Sequence, residues 1–340
     1  MSLSVKPGSS TTTLLSAAAV VVVILGMQAA SSILVPFMVS VFLAVVCKPP
    51  MNWLTHHRVP TGVAIAIVVF AIISLLTAGG MFLGGSIAEF TGRLPFYEQR
   101  LNEELIDLAG FFGQTVTIQE LLEKVQPGSV MGLVANLLNG LQGLFANFFL
   151  IIFTVIFILL ESSSFPVKMR SVLAAARADP DYFVRFTSSV QRYLGIKTLI
   201  SLVTGLVAGL LTGILGLDFP VLWGVFAFTL NYVPSIGSII AAIPPTVLAL
   251  VQFGLGQSLL VALGYLAINI SLGGIIEPRV MGRNLDLSTL VVFLSLIFWG
   301  WVFGPVGMLL SVPLTMTAKI ALEASDRTTP LAALLSAPES

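Results

Sequence analysis

Charge is what this sequence has least of. Of its 340 residues, 16 are Lys or Arg and 16 are Asp or Glu, 9% in all, with a net charge of zero. Soluble domains carry about a quarter charged residues, enough to cover a surface that faces water. A mean hydropathy of +1.01 leaves no such surface, so composition excludes a water-soluble domain and places the chain among membrane proteins. A balanced charge also offers no basic face to nucleic acid. Cysteine is nearly absent. Cys47 stands alone, so no internal disulfide can form, and packing suits a lone thiol better than reactivity. This fits a bacterial inner membrane.

Histidine is limited to His56 and His57, adjacent in sequence. They cannot form the HExxH zinc motif, and no Walker loop or GxSxG elbow occurs. An intramembrane hydrolase would need a nucleophile and a base at membrane depth. The long apolar runs hold serines but no histidine. We therefore expect no enzyme, no cofactor and no metal ion.

What is present is a series of uncharged stretches: Pro7 to Cys47, Val59 to Ala88, Val125 to Leu160, Thr198 to Leu217, Phe219 to Ile276 and Leu287 to Ala318. A crossing needs roughly 20 apolar residues, so several stretches suffice for two. The run after Thr13 is too long for a cleaved leader and is read as a first span. The block Leu14 to Val46 fits two spans, with a break near Ser31, Ser32 and Pro36. A polar loop is expected over Lys48 to Pro60, then a span near Val63 to Leu83.

Two polar segments interrupt the pattern. Glu89 to Lys124 is acidic, with Leu101, Leu105, Leu108 and Phe112 on one helical face and a capping-box pattern at Thr117 to Glu120. It reads as a soluble helical insert. After a span near Phe145 to Leu160, Glu161 to Lys197 is basic. There Asp179-Pro180 resembles a helix start, and Phe183, Phe186, Val190 and Tyr193 form an apolar stripe. Basic residues accumulate on the cytoplasmic side. That rule puts Glu161–Lys197 inside, the acidic insert outside and both termini inside.

The expected fold is an all-α, polytopic integral membrane protein. About eight helices span or re-enter the bilayer. The units are N-terminal spans (1–88), an acidic extracytoplasmic insert (89–140), one span (141–160), a basic amphipathic cytoplasmic segment (161–197), a broken-helix transport core (198–322) and a cytoplasmic tail (323–340). Within the core, Gly205, Gly209 and Gly213 fall on one stripe that permits close helix contact.

Helix breaks carry the functional signal. Backbone groups freed by proline or glycine cannot face lipid, but they can line a cavity. One break spans Asn231, Pro234, Ser235 and Gly237, with Pro244 and Pro245 beyond; a second lies at Trp299, Gly300 and Trp301 followed by Gly304 and Pro305. Each can serve a pathway or packing alone. Asn231 and Asn269 are polar side chains inside apolar runs, suited to interhelical hydrogen bonds or to a pathway. Glu277 and Arg279 end an uncharged run, with Arg283 just after. A bare charge at the bilayer centre costs roughly 2.5–3.5 kcal/mol. Glu277 is therefore expected near the cytoplasmic face or paired with Arg279 or Arg283, as an interfacial salt bridge or a gating or proton-coupling carboxylate.

Three segments together carry a resemblance: Asn231-Tyr-Val-Pro-Ser-Ile-Gly237, Glu277-Pro-Arg-Val-Met-Gly282, and the run Phe298 to Pro313. They resemble the hallmark segments of the autoinducer-2 exporter family of bacterial permeases. The resemblance implies an inner-membrane transporter that assembles as a homo-oligomer, a pentamer being one arrangement. It implies either export of the quorum-sensing furanone autoinducer-2 or sodium/proton exchange.

Three functions follow for comparison. Export of a small polar solute requires a cavity of polar, mostly uncharged groups, which Asn231, Ser235, Asn269, Trp299 and Trp301 would supply. A cation/proton antiporter for a monovalent cation requires a membrane-depth carboxylate, and only Glu277, Asp218 and Glu161 are candidates, all near span ends. A non-transporting scaffold would leave the breaks unexplained. Gating around Asn231–Pro245, with a hinge at Gly304-Pro305, is the expected mechanism.

Overall fold

The computed structural model describes residues 9–111, 132, 147–162, 180–234, 236–281, 287–323 and 328–336. Among these residues every regular element is helical, and no strand occurs. The fold is an all-α membrane protein. Five helical segments are long and apolar enough to cross a bilayer: Ser31–His56, Thr61–Gly92, Ser188–Ile214, Leu255–Met281 and Thr289–Leu309. Shorter apolar helices fill in between them. Large apolar side chains such as Phe70, Leu75, Phe149 and Ile214 point outward, a surface that only lipid or another apolar partner tolerates.

Helices α1 (Ser9–Ala29) and α2 (Ser31–His56) divide the first apolar block at Ala30, beside the serine pair. Pro36 lies inside α2, and so do Lys48, Pro49 and Pro50. The loop expected over Lys48–Pro60 thus shrinks to a turn after His56. Two prolines remove helical donors. Buried Ala44 and Cys47 before them and Met51 after them hold the helix in line against α3 (Thr61–Gly92) and α5 (Phe148–Glu161). Ser40 adds a hydrogen bond to the Ile151 carbonyl at 3.2 Å.

The acidic stretch expected from residue 89 starts inside α3, which runs to Gly92, and continues as α4 (Leu94–Phe111). Tyr97 and Leu101 from α4 join a core with Phe90, Trp223 and Leu248, so this helix packs on the C-terminal half. The capping-box segment at 117–120 lies outside the described residues.

From Pro180 onward, the basic segment and the following span are one helix, α6 (Pro180–Ile214). It starts at the proline marked by the sequence and runs through residue 197 without interruption. Its glycine stripe meets α7 (Pro220–Leu230) at backbone distance. A Cβ on Gly205 would sit 2.7 Å from the Gly224 carbonyl, and one on Gly224 would sit 2.8 Å from the Gly205 carbonyl. Only glycine permits this approach, as the spacing predicts.

After α7 the chain reverses at Asn231–Ile236 into α8 (Gly237–Phe253). A side chain on Gly237 would collide with the Leu230 carbonyl. Gly254, at φ 80°, turns the chain into α9 (Leu255–Ile268). That helix continues as a π-helical segment, Asn269–Ile276, and a last turn, α10 (Glu277–Met281). Next, α11 (Thr289–Leu309) is broken at Gly304, where φ is 65° and ψ is −149°. The chain folds back there: a side chain on Gly307 would collide with the Trp299 carbonyl. Helix α12 (Ser311–Glu323) and the short α13 (Thr329–Leu335) complete the described chain.

Candidate polar cavity in the helix core

Four helices and the π-helical segment converge on one small cavity. Thr204 comes from α6, Ala227 from α7, Ser238 and Ala241 from α8, and Tyr265 and Ile268 from α9. Asn231 is contributed by the reversal, and Asn269 and Gly273 by the π-helical segment. The cavity measures about 10 Å³, room for roughly one water molecule. None of its lining residues is charged, and five carry hydroxyl or amide groups.

Three of those groups are committed within the protein. Asn231 Nδ2 donates to Ser201 Oγ at 2.9 Å, joining the reversal to α6. Ser238 Oγ donates to Asn269 Oδ1 at 2.8 Å, joining α8 to the π-helical segment. Two others are not committed. The Thr204 and Tyr265 hydroxyls are buried without a hydrogen-bond partner among the described residues. An unsatisfied buried polar group costs about 1–3 kcal/mol. Two such groups facing one cavity are free to bond a guest that carries hydroxyl or carbonyl groups, water included. The π-helical segment adds to this, because such stretches are less stable than α-helix and concentrate at functional sites.

Pro244 and Pro245 lie inside α8 and are buried. The reversal itself is confined to residues 231–236, so the prolines belong to the helix that follows the break. Each deprives the carbonyl four residues earlier of its helical donor, and Ala241, on the cavity wall, carries one of these carbonyls.

Glu277 makes an ion pair that the sequence reading did not anticipate. Its carboxylate meets Lys197 Nζ on α6 at 2.5 Å, and both side chains are largely buried. Arg279, one of the two partners expected for it, is exposed. Arg283, the other, and Ser235 lie outside the described residues. Buried charges persist only when paired, and Lys197 supplies that pairing from a helix turn next to Ser201. A signal existed: Lys197, Ser201 and Thr204 follow i, i+4, i+7 spacing on an otherwise apolar helix, the pattern of one polar stripe.

At the other end of the core, Asp218 ties α4 to α7. Its carboxylate accepts from Tyr97 at 3.1 Å and from Arg93 at 3.3 Å, and its carbonyl accepts from Trp223 Nε1 at 2.8 Å. Burial, then the adjacent Asp218 charge, pushes the Tyr97 phenol up to about 12. Phe219, at φ 61°, occupies the N-cap of α7, so Asp218 acts through its side-chain partners and not as the cap.

The second break is separate from the cavity. Trp299 Nε1 donates to Thr315 Oγ1 at 2.9 Å, closing α11 on α12. Trp301 is exposed, and its carbonyl accepts from Gln28 of α1 at 3.3 Å. Of the expected pathway residues, the structure brings Asn231 and Asn269 to one cavity. Pro234 and Gly237 form the adjoining reversal, and Trp299, Trp301, Gly304 and Pro305 form a different hairpin. Thr204, Ser238, Tyr265 and Gly273 line the cavity and were not singled out by sequence.

A family model described as AI-2E family transporter matches residues 17–327. The chain belongs to this family. Among similar proteins, the AI-2 transport protein TqsA of Escherichia coli strain K12 is 43% identical over 92% of this chain and 91% of its own length. A Haemophilus influenzae protein named for transport is 42% identical, over 91% of this chain and 92% of its own. The E. coli protein YhhT, also named for transport, is 38% identical, over 91% of this chain and 90% of its own. With its apolar helices, this membership makes the chain a membrane transport protein of the AI-2E family. The three relatives are named for transport and not for catalysis.

Proposed function

We propose that the chain exports a small, neutral, hydroxylated solute across a bacterial inner membrane, with autoinducer-2 as the solute to test first. The observation that carries this reading is the cavity wall. It offers hydroxyls and amides, two of the hydroxyls unpartnered, and no charge. Such a wall suits an uncharged ligand that both donates and accepts hydrogen bonds. The relative TqsA, named for AI-2 transport, supports the choice of solute.

The remaining assignments follow the same reading. Asn231 and Asn269 contact the solute, while Pro234, Ser235, Gly237, Pro244 and Pro245 shape the α7–α8 hairpin beside it. Gly304 and Pro305, with Trp299 and Trp301, form a second hinge. Basic residues over 161–197 support a cytoplasmic position for that segment and for both termini. Outward apolar side chains on several helices suit lipid and contacts between copies in a homo-oligomer. Sodium/proton antiport is the less favoured reading, because Glu277 already holds an ammonium where a sodium ion would bind.

The test is counterflow of labelled autoinducer-2 in proteoliposomes, comparing wild type with Asn269→Ala and Tyr265→Phe. Exchange by wild type, with KM raised about tenfold in the variants, supports solute transport through this cavity. Equal KM values would remove the cavity from the pathway. Sodium-driven proton flux without exchange would establish antiport.

A further inference from the structure

The cavity and the Lys197–Glu277 pair are joined by the same two elements. On α6, Thr204 lines the cavity, Ser201 holds Asn231, Thr198 accepts from the Tyr232 hydroxyl at 2.9 Å, and Lys197 holds Glu277. On the other side, Asn269 and Gly273 line the cavity, and Glu277 follows directly on the end of the same π-helical segment. Nothing in the solute site uses the pair, yet α6 and the helix running through the π-helical segment carry both. An ion pair is also a costly way to hold two helices, because an apolar pair of the same volume often does as well or better. Both charges sit inside segments long and apolar enough to cross the membrane, 188–214 and 255–281.

We propose that Lys197 and Glu277 form the proton-binding site that drives this transporter, with the lysine as a built-in counter-cation. The inference rests on the reading of the cavity as the solute site. In the structure described, the pair is closed and the cavity has room for about one water. A proton that bonds to a Glu277 carboxylate oxygen neutralises it and leaves the Lys197 ammonium buried without its counter-charge. An uncompensated buried charge is strongly unfavourable, so water must reach the ammonium and the helices must part. Release of that proton restores the carboxylate and recloses the pair. No other bond is made or broken.

The moving part is the π-helical segment. A shift of one residue between π and α registers turns everything C-terminal to it by about 100°. That carries Glu277 away from α6 while Asn269 stays beside Ser238. The other charged or titratable groups on the surrounding elements are few. Arg192 on α6 and Arg279 on α10 are exposed, and Lys319 on α12 pairs with Glu323 at 3.7 Å. Tyr193 is buried and within range of the Glu277 charge, while Tyr232 and Tyr265 lie toward the cavity. Glu277 is therefore the carboxylate that faces Lys197.

Cys47 is the sole cysteine, so Cys47→Ser gives a clean background for a probe in the cavity wall, Ser238→Cys. The measurement is the rate of labelling by a small methanethiosulfonate reagent, divided by the rate for free cysteine at the same pH. Expected is a corrected rate at least about tenfold higher at about pH 4 than at about pH 7, a range on either side of the ordinary glutamate value of about 4.3. Glu277→Gln should label fast at both pH values, and the double variant Lys197→Met/Glu277→Gln slowly at both, because no ammonium is left to hydrate. A flat wild-type profile overturns the proposal, as does a double variant as fast as Glu277→Gln or acceleration by sodium in place of acid. If Glu277→Gln does not fold, the wild-type profile and the double variant still decide. Protection of the probe by autoinducer-2 is scored separately. Its loss with the pH response intact overturns the solute reading, and its presence with a flat pH response overturns the proton site.

Discussion

The Tyr97 hydroxyl donates to the Asp218 carboxylate at 3.1 Å, across a large gap in sequence. It is the point at which the first helix of the insert is fastened to the start of the α7–α8 hairpin. Tyr97 is almost fully buried, whereas the Asp218 side chain is more than one-third exposed.

The pH response of this contact has a definite sign. Its phenol is raised from 10.0 to about 12 in the folded protein by burial and by Asp218. A raised value means that the stabilisation is complete below about pH 10 and is lost as pH climbs toward about 12. Tyr97→Phe should therefore flatten the alkaline limb of a thermal-unfolding titration in detergent. At neutral pH it should cost about 1 kcal/mol or less, since solvent screens Asp218. An unchanged alkaline limb would show that Tyr97 is not the group that titrates.

Tyr265→Phe separates function from stability. The tyrosine hydroxyl is buried and unpartnered, so its removal should leave the melting temperature unchanged or raise stability by about 1 kcal/mol. The same substitution should raise the KM for solute. A variant that is both less stable and fully active would refute the assignment of this hydroxyl to the site.

Glycines divide into those that tolerate a methyl group and those that do not. Gly237→Ala drives a Cβ into the Leu230 carbonyl of α7 and Gly307→Ala into the Trp299 carbonyl, ahead of the break in α11, and each should cost about 1–3 kcal/mol or more. Gly304→Ala meets no atom but inherits φ 65°, so its cost is backbone strain of about 1–3 kcal/mol. Gly85→Ala, with nothing within 4 Å in a helix, should be neutral or stabilising by up to about 1 kcal/mol. Melting in detergent ranks all four, and a Gly237→Ala variant as stable as Gly85→Ala would contradict the tight hairpin.

Much of the architecture could be read from the sequence because its signals are local. Uncharged runs mark the spans, Gly205, Gly209 and Gly213 mark a close contact, and Asn231 to Gly237 marks a break, which the structure makes a reversal. Prolines misled where packing outweighed them: Pro49 and Pro50 sit inside α2, and Pro244 and Pro245 inside α8. The site was legible only in its asparagines. Thr204 and Tyr265 are ordinary hydroxyls until neighbouring helices leave them without partners. The π-helical segment carries no proline and reads as plain helix. Lys197 and Glu277 are 80 residues apart, and no spacing rule pairs them.

Helix α6 runs unbroken for 35 residues, a rod about 52 Å long. Its pivot is the stretch where Gly205 and Gly209 bear on α7 without intervening side chains. Thr204 lies beside that fulcrum, and the Pro180 end lies about 36 Å from it. A tilt of about 5° moves that end by about 3 Å while the cavity wall shifts by only a fraction as much. The basic arm is thus a lever with a large mechanical advantage over the solute site. By that geometry, a large excursion of the Pro180 end corresponds to only a small adjustment at the cavity wall.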